Sequence, residues 1–207
     1  MNKPQLTKEE LEYKIDIATQ TLERNIAFVA NCDNKTSIVL TTFGVLLTLF
    51  LSMDVIEKLY AIIGNCCKEP GLIDILYLIT FGISVLLTIG GMIILGSVLI
   101  PNTSKKHTNK PKREAKNLTL NANKSLIFFT GIRNHKITDY PTEFKSMTLE
   151  ELLDDLLNEI YANADIATKK YEKFSLGFKL SAIGFALLFV FFLLGICYYE
   201  FPIHPQA

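Results

Sequence analysis

Three stretches of the chain carry no charged side chain: residues 36–53, 75–100 and 180–199. They run for 18, 26 and 20 residues. At about 1.5 Å per helical residue, each matches a hydrocarbon layer about 30 Å thick. A soluble chain of 207 residues could bury one such helix, but three would leave too little polar chain to cover them. The pattern predicts an all-α integral membrane protein with three transmembrane helices, at 36–53, 75–100 and 174–199.

Two amphipathic segments lead into the first and third of these. Before the first, Leu11, Ile15, Ala18, Leu22, Ile26 and Val29 recur at helical spacing, and no Pro or Gly interrupts the chain until Gly44. Thr7 and Glu10 are spaced as a capping box at its start. The same device returns at Thr148 and Glu151, followed by Leu152, Leu156, Ile160, Asn163, Ala167, Tyr171 and Phe174. Each segment is predicted to be one long amphipathic helix continuous with its span, and the two are expected to lie parallel with their stripes joined, since a lone stripe in water is unstable. Both contain the letters D-I-A-T, at 16–19 and 165–168, a hint of repetition.

Lysine and arginine set the orientation. Five precede the first span, Lys58 and Lys68 lie between the first two, fourteen fall between Lys105 and Lys179, and none follows. Positive charge stays in the cytoplasm. Residues 1–35 and 101–173 are therefore placed inside, and 54–74 and the tail 200–207 outside. The first span is expected to serve as its own signal-anchor, with no cleaved leader before it. Residues 101–117 read as a basic, proline-punctuated linker, residues 125–144 as a compact loop ending in a Tyr-Pro turn, and 54–64 as a short interfacial helix stopped by Gly64.

Overall composition adds limits. Lys+Arg and Asp+Glu balance at 21 each, so nothing points to a nucleic-acid polymer or an acidic partner. His107, His135 and His204 are scattered, and no nucleophile elbow, zinc motif or phosphate loop occurs. No catalytic or metal site is expected. The pairs Glu150/Glu151 and Asp154/Asp155 alternate with leucines and read as a solvated helix face. Cys66, Cys67 and Cys197 fall on the outer side, where a bridge to Cys197 could persist, while Cys32 lies on the reducing side.

Small and hydroxylated residues line one face of each span. In the first they are Ser37, Thr41, Gly44, Thr48 and Ser52; in the second Ser84, Thr88 and Gly91; in the third Gly177, Ser181 and Gly184. Such stripes let helices approach closely in lipid; the alternative is that an oligomer turns the first stripe to a wet centre, with Lys179 either snorkelling or lining the path. Three helices cannot enclose a pore, so a channel requires a homo-oligomer.

Three blocks carry a resemblance. "CDNKTSIVLTTFGVLL" (32–47), "LIFFTGI" (126–132) and "EIYANADIATKKYEKF" (159–174) are similar, in order and over about 140 residues, to the Pycsar transmembrane effector domain family. The chain departs from the family pattern at Thr36, where alanine is usual after the lysine. The resemblance implies an antiphage effector of the bacterial inner membrane, multi-pass, which responds to a cyclic pyrimidine mononucleotide made on infection and impairs the membrane, giving abortive infection. It implies no other cofactor. A bound nucleotide monophosphate would need donors on the inner side; Arg133, His135 and Lys136 of "GIRNHK", with Lys169 and Lys170, are the candidates. Asp33 and Lys35 are read as positioning residues that mark the membrane lip and could pair with a neighbouring helix, through Lys169, Lys170 or Glu172. The competing readings are a ligand-independent holin-like toxin and a non-lytic membrane scaffold that recruits a soluble partner.

Overall fold

The computed structural model describes residues 7–68, 71–100 and 125–199, with backbone alone for Phe129, Thr130 and Tyr199. The linker 101–117 and the tail 200–207 lie outside the described residues. Within them the chain is helical without a strand: α1 Lys8–Phe50, α2 Met53–Lys68, α3 Leu72–Leu99, α4 Phe129–Asn134, α5 Tyr140–Ser146 and α6 Leu149–Tyr199.

Both long helices start on the side-chain caps predicted for them. The Thr7 amide donates to Glu10 Oε2 at 2.8 Å and the Glu10 amide returns to Thr7 Oγ1 at 3.3 Å. At α6 the Thr148 amide donates to Glu151 Oε2 at 2.8 Å and the Glu151 amide to Thr148 Oγ1 at 3.2 Å. Donors that the first turn would leave orphaned are thereby satisfied. These same bonds hold both glutamates below the ordinary carboxylate range, the backbone bond contributing most. With no glycine or proline to stop them, α1 continues for 43 residues and α6 for 51.

The chain divides into two compact units, Met1–Asn31 with Asn102–Lys169 and Cys32–Pro101 with Lys170–Ala207. In the first, Leu11, Ala18 and Leu156 are buried, and Asn25 Nδ2 donates to the Ile160 carbonyl at 3.2 Å. Ile26, expected on the buried stripe, is exposed, and Asn25 beside it turns to α6 instead. Residues 125–147 fold as α4 and α5 against α6. Pro141 sits in the first turn of α5, where its missing N–H costs nothing. The Tyr-Pro step expected to be a turn is thus the start of a helix.

In the second unit the partners of α1 and α6 climb in step, as parallel helices require. Phe43 meets Phe178 and Phe185, and Phe50 meets Phe185 and Phe192. Phe50, Leu188 and Phe192 form the core, with Val55, Leu59, Phe81 and Val85 packed around them. The small-residue stripes of α3 and α6 face each other: Ser84, Thr88, Ser181 and Gly91 are buried. A Cβ on Gly91 would lie 2.5 Å from the Ser181 amide nitrogen, and one on Gly184 2.5 Å from that of Thr88. Since lipid supplies no hydrophobic drive between apolar helices, this close backbone approach supplies dispersion energy instead.

The first apolar run departs from its expected bounds. α1 ends at Phe50 and Met53 already belongs to α2, the two helices being bent by 66° at the break. Ser52 lies in that break, its carbonyl accepting the first α2 bond from the Ile56 amide at 3.0 Å. α2 does not stop at Gly64 but runs to Lys68; a helical glycine costs only about 1 kcal/mol, and buried Cys66 beyond it holds the last turn against its neighbours. Cys197 is a free thiol, so no bridge joins it to α2. Among the described residues, α3 and α6 are each long and apolar enough to cross a membrane, and α1 with α2 qualify together as one bent pair.

Candidate functional site

Where the apolar part of α1 begins, Asp33 Oδ1 lies 2.5 Å from Lys170 Nζ on α6. The lysine side chain is 12% exposed and the aspartate 36%, so the pair is partly shielded from water and stronger than a surface bridge. Beside it Cys32 and Thr36 are fully buried, and Thr36 Oγ1 returns its hydrogen to the Cys32 carbonyl at 2.7 Å. That bond lets a threonine be buried there without leaving a polar orphan. Lys35 and Lys179 are exposed.

A double-mutant cycle tests the pair. Asp33→Asn is expected to cost roughly 1–2 kcal/mol of thermal stability in detergent, by leaving the largely buried Lys170 without its counter-charge. Lys170→Met added to it should restore part of that loss; equal and additive losses would mean the pair contributes nothing.

The remaining ligand candidates are differently placed. Lys169 Nζ pairs with Asp165 Oδ2, four residues earlier on α6. His135 Nδ1 lies 2.8 Å from Glu143 Oε2, with the ring 15% exposed. Arg133 and Lys136 are exposed on either side of it. The structure thus brings His135 to a carboxylate, and Lys169 and Lys170 each to their own, leaving Arg133 and Lys136 as the outward-facing cations of "GIRNHK".

Next to this segment is a cleft of about 440 Å³ lined by Ser125, Leu126, Glu143, Asp154, Asp155 and Asn158, among others. Asp155 Oδ2 accepts from Ser125 Oγ at 3.0 Å and the Leu126 amide at 2.9 Å, and Tyr140 Oη donates to the Leu126 carbonyl. Asp155 is therefore a clasp between α6 and residues 125–128, correcting its reading as part of a solvated face. Gly131 permits the arrangement, since a Cβ there would come 2.9 Å from the Ser125 nitrogen. The cleft's carboxylates repel a phosphate, so the cleft is not where a nucleotide monophosphate would lie. Glu159, one turn on from Asp155, is 4% exposed and its Oε2 has no hydrogen-bond partner. Burial foremost, with Asp155 adding, pushes its carboxyl up to about 7.

The first-span stripe is the feature that packs least. Ser37, Thr41, Thr48 and Ser52 are exposed, and nothing lies within 4 Å of a Cβ on Gly44. Thr41 and Thr48 satisfy their hydroxyls on the carbonyls of Ser37 and Gly44. The α1 face that touches α6 is aromatic instead. Phe43 and Phe50, seven residues apart, answer Phe178, Phe185 and Phe192, also seven apart. That repeat is visible in the sequence and is the signal the small-residue reading passed over.

Helical throughout its described residues, with two apolar helices long enough to span and a third formed by a bent pair, the chain is a helical membrane protein. Residues 17–196 match the Pycsar effector protein domain, and the chain belongs to that family. It is 27% identical over 164 residues to the Pycsar effector protein GmPycTM of Gulbenkiania mobilis, an alignment covering 77% of this chain and 82% of that protein. No solved structure matches it.

Proposed function

We propose that the chain is a three-span antiphage effector of the bacterial inner membrane, with its N-terminus and residues 101–173 in the cytoplasm and its C-terminus outside. It responds to a cyclic pyrimidine mononucleotide by impairing the membrane as a homo-oligomer, ending the infected cell before phage mature. Family membership across residues 17–196 is the observation that carries this reading. The architecture supports it: α1 and α6 are helical without a break from their starts into their apolar runs, and all the lysines and arginines but Lys58 and Lys68 fall before the first run or between Lys105 and Lys179. Arg133 and Lys136, the outward cations, are the proposed phosphate donors, with Asp33, Lys35 and Lys170 setting helix depth and register.

Membrane-potential dye uptake in cells expressing the protein tests it. Depolarisation on supplying cyclic CMP or cyclic UMP, and none with cyclic oligonucleotides, is expected. Depolarisation on expression alone would instead make it a holin-like toxin, and none under any condition a scaffold.

A further inference from the structure

α2 has two apolar faces. Val55, Leu59, Ile62 and Cys66, at intervals of four, three and four, turn inward: Val55 and Leu59 pack on the Phe50–Phe192 core, and Ile62 and Cys66 are buried. Met53, Ile56, Tyr60 and Ile63 lie about 110° around the helix and are exposed, Tyr60 at 82%. Asp54, Glu57, Asn65 and Lys68 occupy the remaining sector. A helix in water beside a bundle needs one apolar face; a second, set next to the first and opposite the charges, needs a second apolar surrounding.

Geometry says which. The apolar part of α1, residues 36–50, is about 22 Å long, short of a hydrocarbon layer of about 30 Å. α2, with 16 residues, is about 24 Å long and leaves at 66°, so it advances only about 10 Å further along the α1 direction. Its inward face meets the last turns of α6, where Ile62 lies against Gly195. At the start of α3, Leu72, Ile73 and Leu76 are exposed as well. α2 thus runs across the end of the spans rather than along them.

We propose that Met53, Ile56, Tyr60 and Ile63 are embedded in the boundary between acyl chains and headgroups of the leaflet farther from Asp33, with the charged sector in water. The tyrosine suits that depth, where an apolar ring and a polar tip are both satisfied, and amphipathic helices settle about 5–10 Å into this layer. The placement rests on the three-span reading and makes α2 the helix that bears on one leaflet alone.

The chain contains no tryptophan, so Tyr60→Trp and Ile63→Trp each place a single reporter on this face, and Glu57→Trp places one on the charged sector. The full chain is reconstituted in phosphatidylcholine vesicles carrying bromine at shallow or deep acyl positions, with no nucleotide present. Both face variants should emit to the blue and be quenched more by shallow than by deep bromine, while Glu57→Trp stays red-emitting and unquenched. Absence of quenching at Tyr60→Trp and Ile63→Trp, whether water or a second copy covers them, overturns the proposal. Because no ligand is used, that result would leave the nucleotide response untouched.

Discussion

Gly91→Val is expected to break the α3–α6 pair. Any Cβ at Gly91 meets backbone, 2.5 Å from the Ser181 nitrogen and 2.8 Å from the Gly177 carbonyl oxygen, and backbone cannot swing aside as a side chain can. The helices must separate along their whole small-residue seam. The expected cost is at least about 3 kcal/mol, at the upper end of overpacking effects, read as a fall in melting temperature in detergent and loss of effector activity. Gly90→Val and Gly96→Val on the same helix are the controls, because nothing stands within 4 Å of a Cβ at either position. They should differ little from the parent chain. If all three variants behave alike, the seam is not a close contact.

Glu159→Gln is expected to change how stability depends on pH. The carboxyl is buried, with Asp155 as its charged neighbour on α6. Asn25, which α1 brings to neighbouring Ile160, carries no titratable group, and His135 of the 125–147 segment is turned to Glu143. Its folded pKa stands at about 7 against an ordinary 4.5. Between those values the folded state keeps a proton that the unfolded chain has released, so stability falls as pH rises through that window and is lowest once the group is ionised. This group should therefore make the parent chain more stable near pH 5 than near pH 8, by an amount on the order of 3 kcal/mol. The glutamine variant should lose most of that slope and be the more stable protein at alkaline pH. An unchanged slope would place the titration elsewhere.

The helix starts and continuity were legible from Thr7, Thr148 and the absence of glycine and proline, because caps and breakers are local chemistry. The apolar lengths were legible for the same reason. What the sequence did not disclose is which small residues are used. Gly44, Gly90, Gly91 and Gly96 are alike as letters, yet a Cβ would meet neighbouring atoms within 4 Å only at Gly91, because contact depends on the rotation of each helix about its axis and not on its composition. The end of α1 at Phe50 was hidden too, since charge-free sequence continues through Met53 while the backbone turns at Ser52. Glu159 could have been found: it falls between Leu156 and Ile160 on the inward stripe of α6, where a carboxylate is out of place. That Asp33 meets a charged residue of α6 among Lys169, Lys170 and Glu172 was legible; that the partner is Lys170 was not, since it depends on how far α6 has slid past α1.

The α1 hydroxyls carry a consequence of their own. Thr41 and Thr48 have spent their hydrogens on their own helix, so these two hydroxyls owe nothing to whatever lies outside. Trading oily surroundings for wet ones there would sever no internal bond. Such hydroxyls are indifferent to their medium.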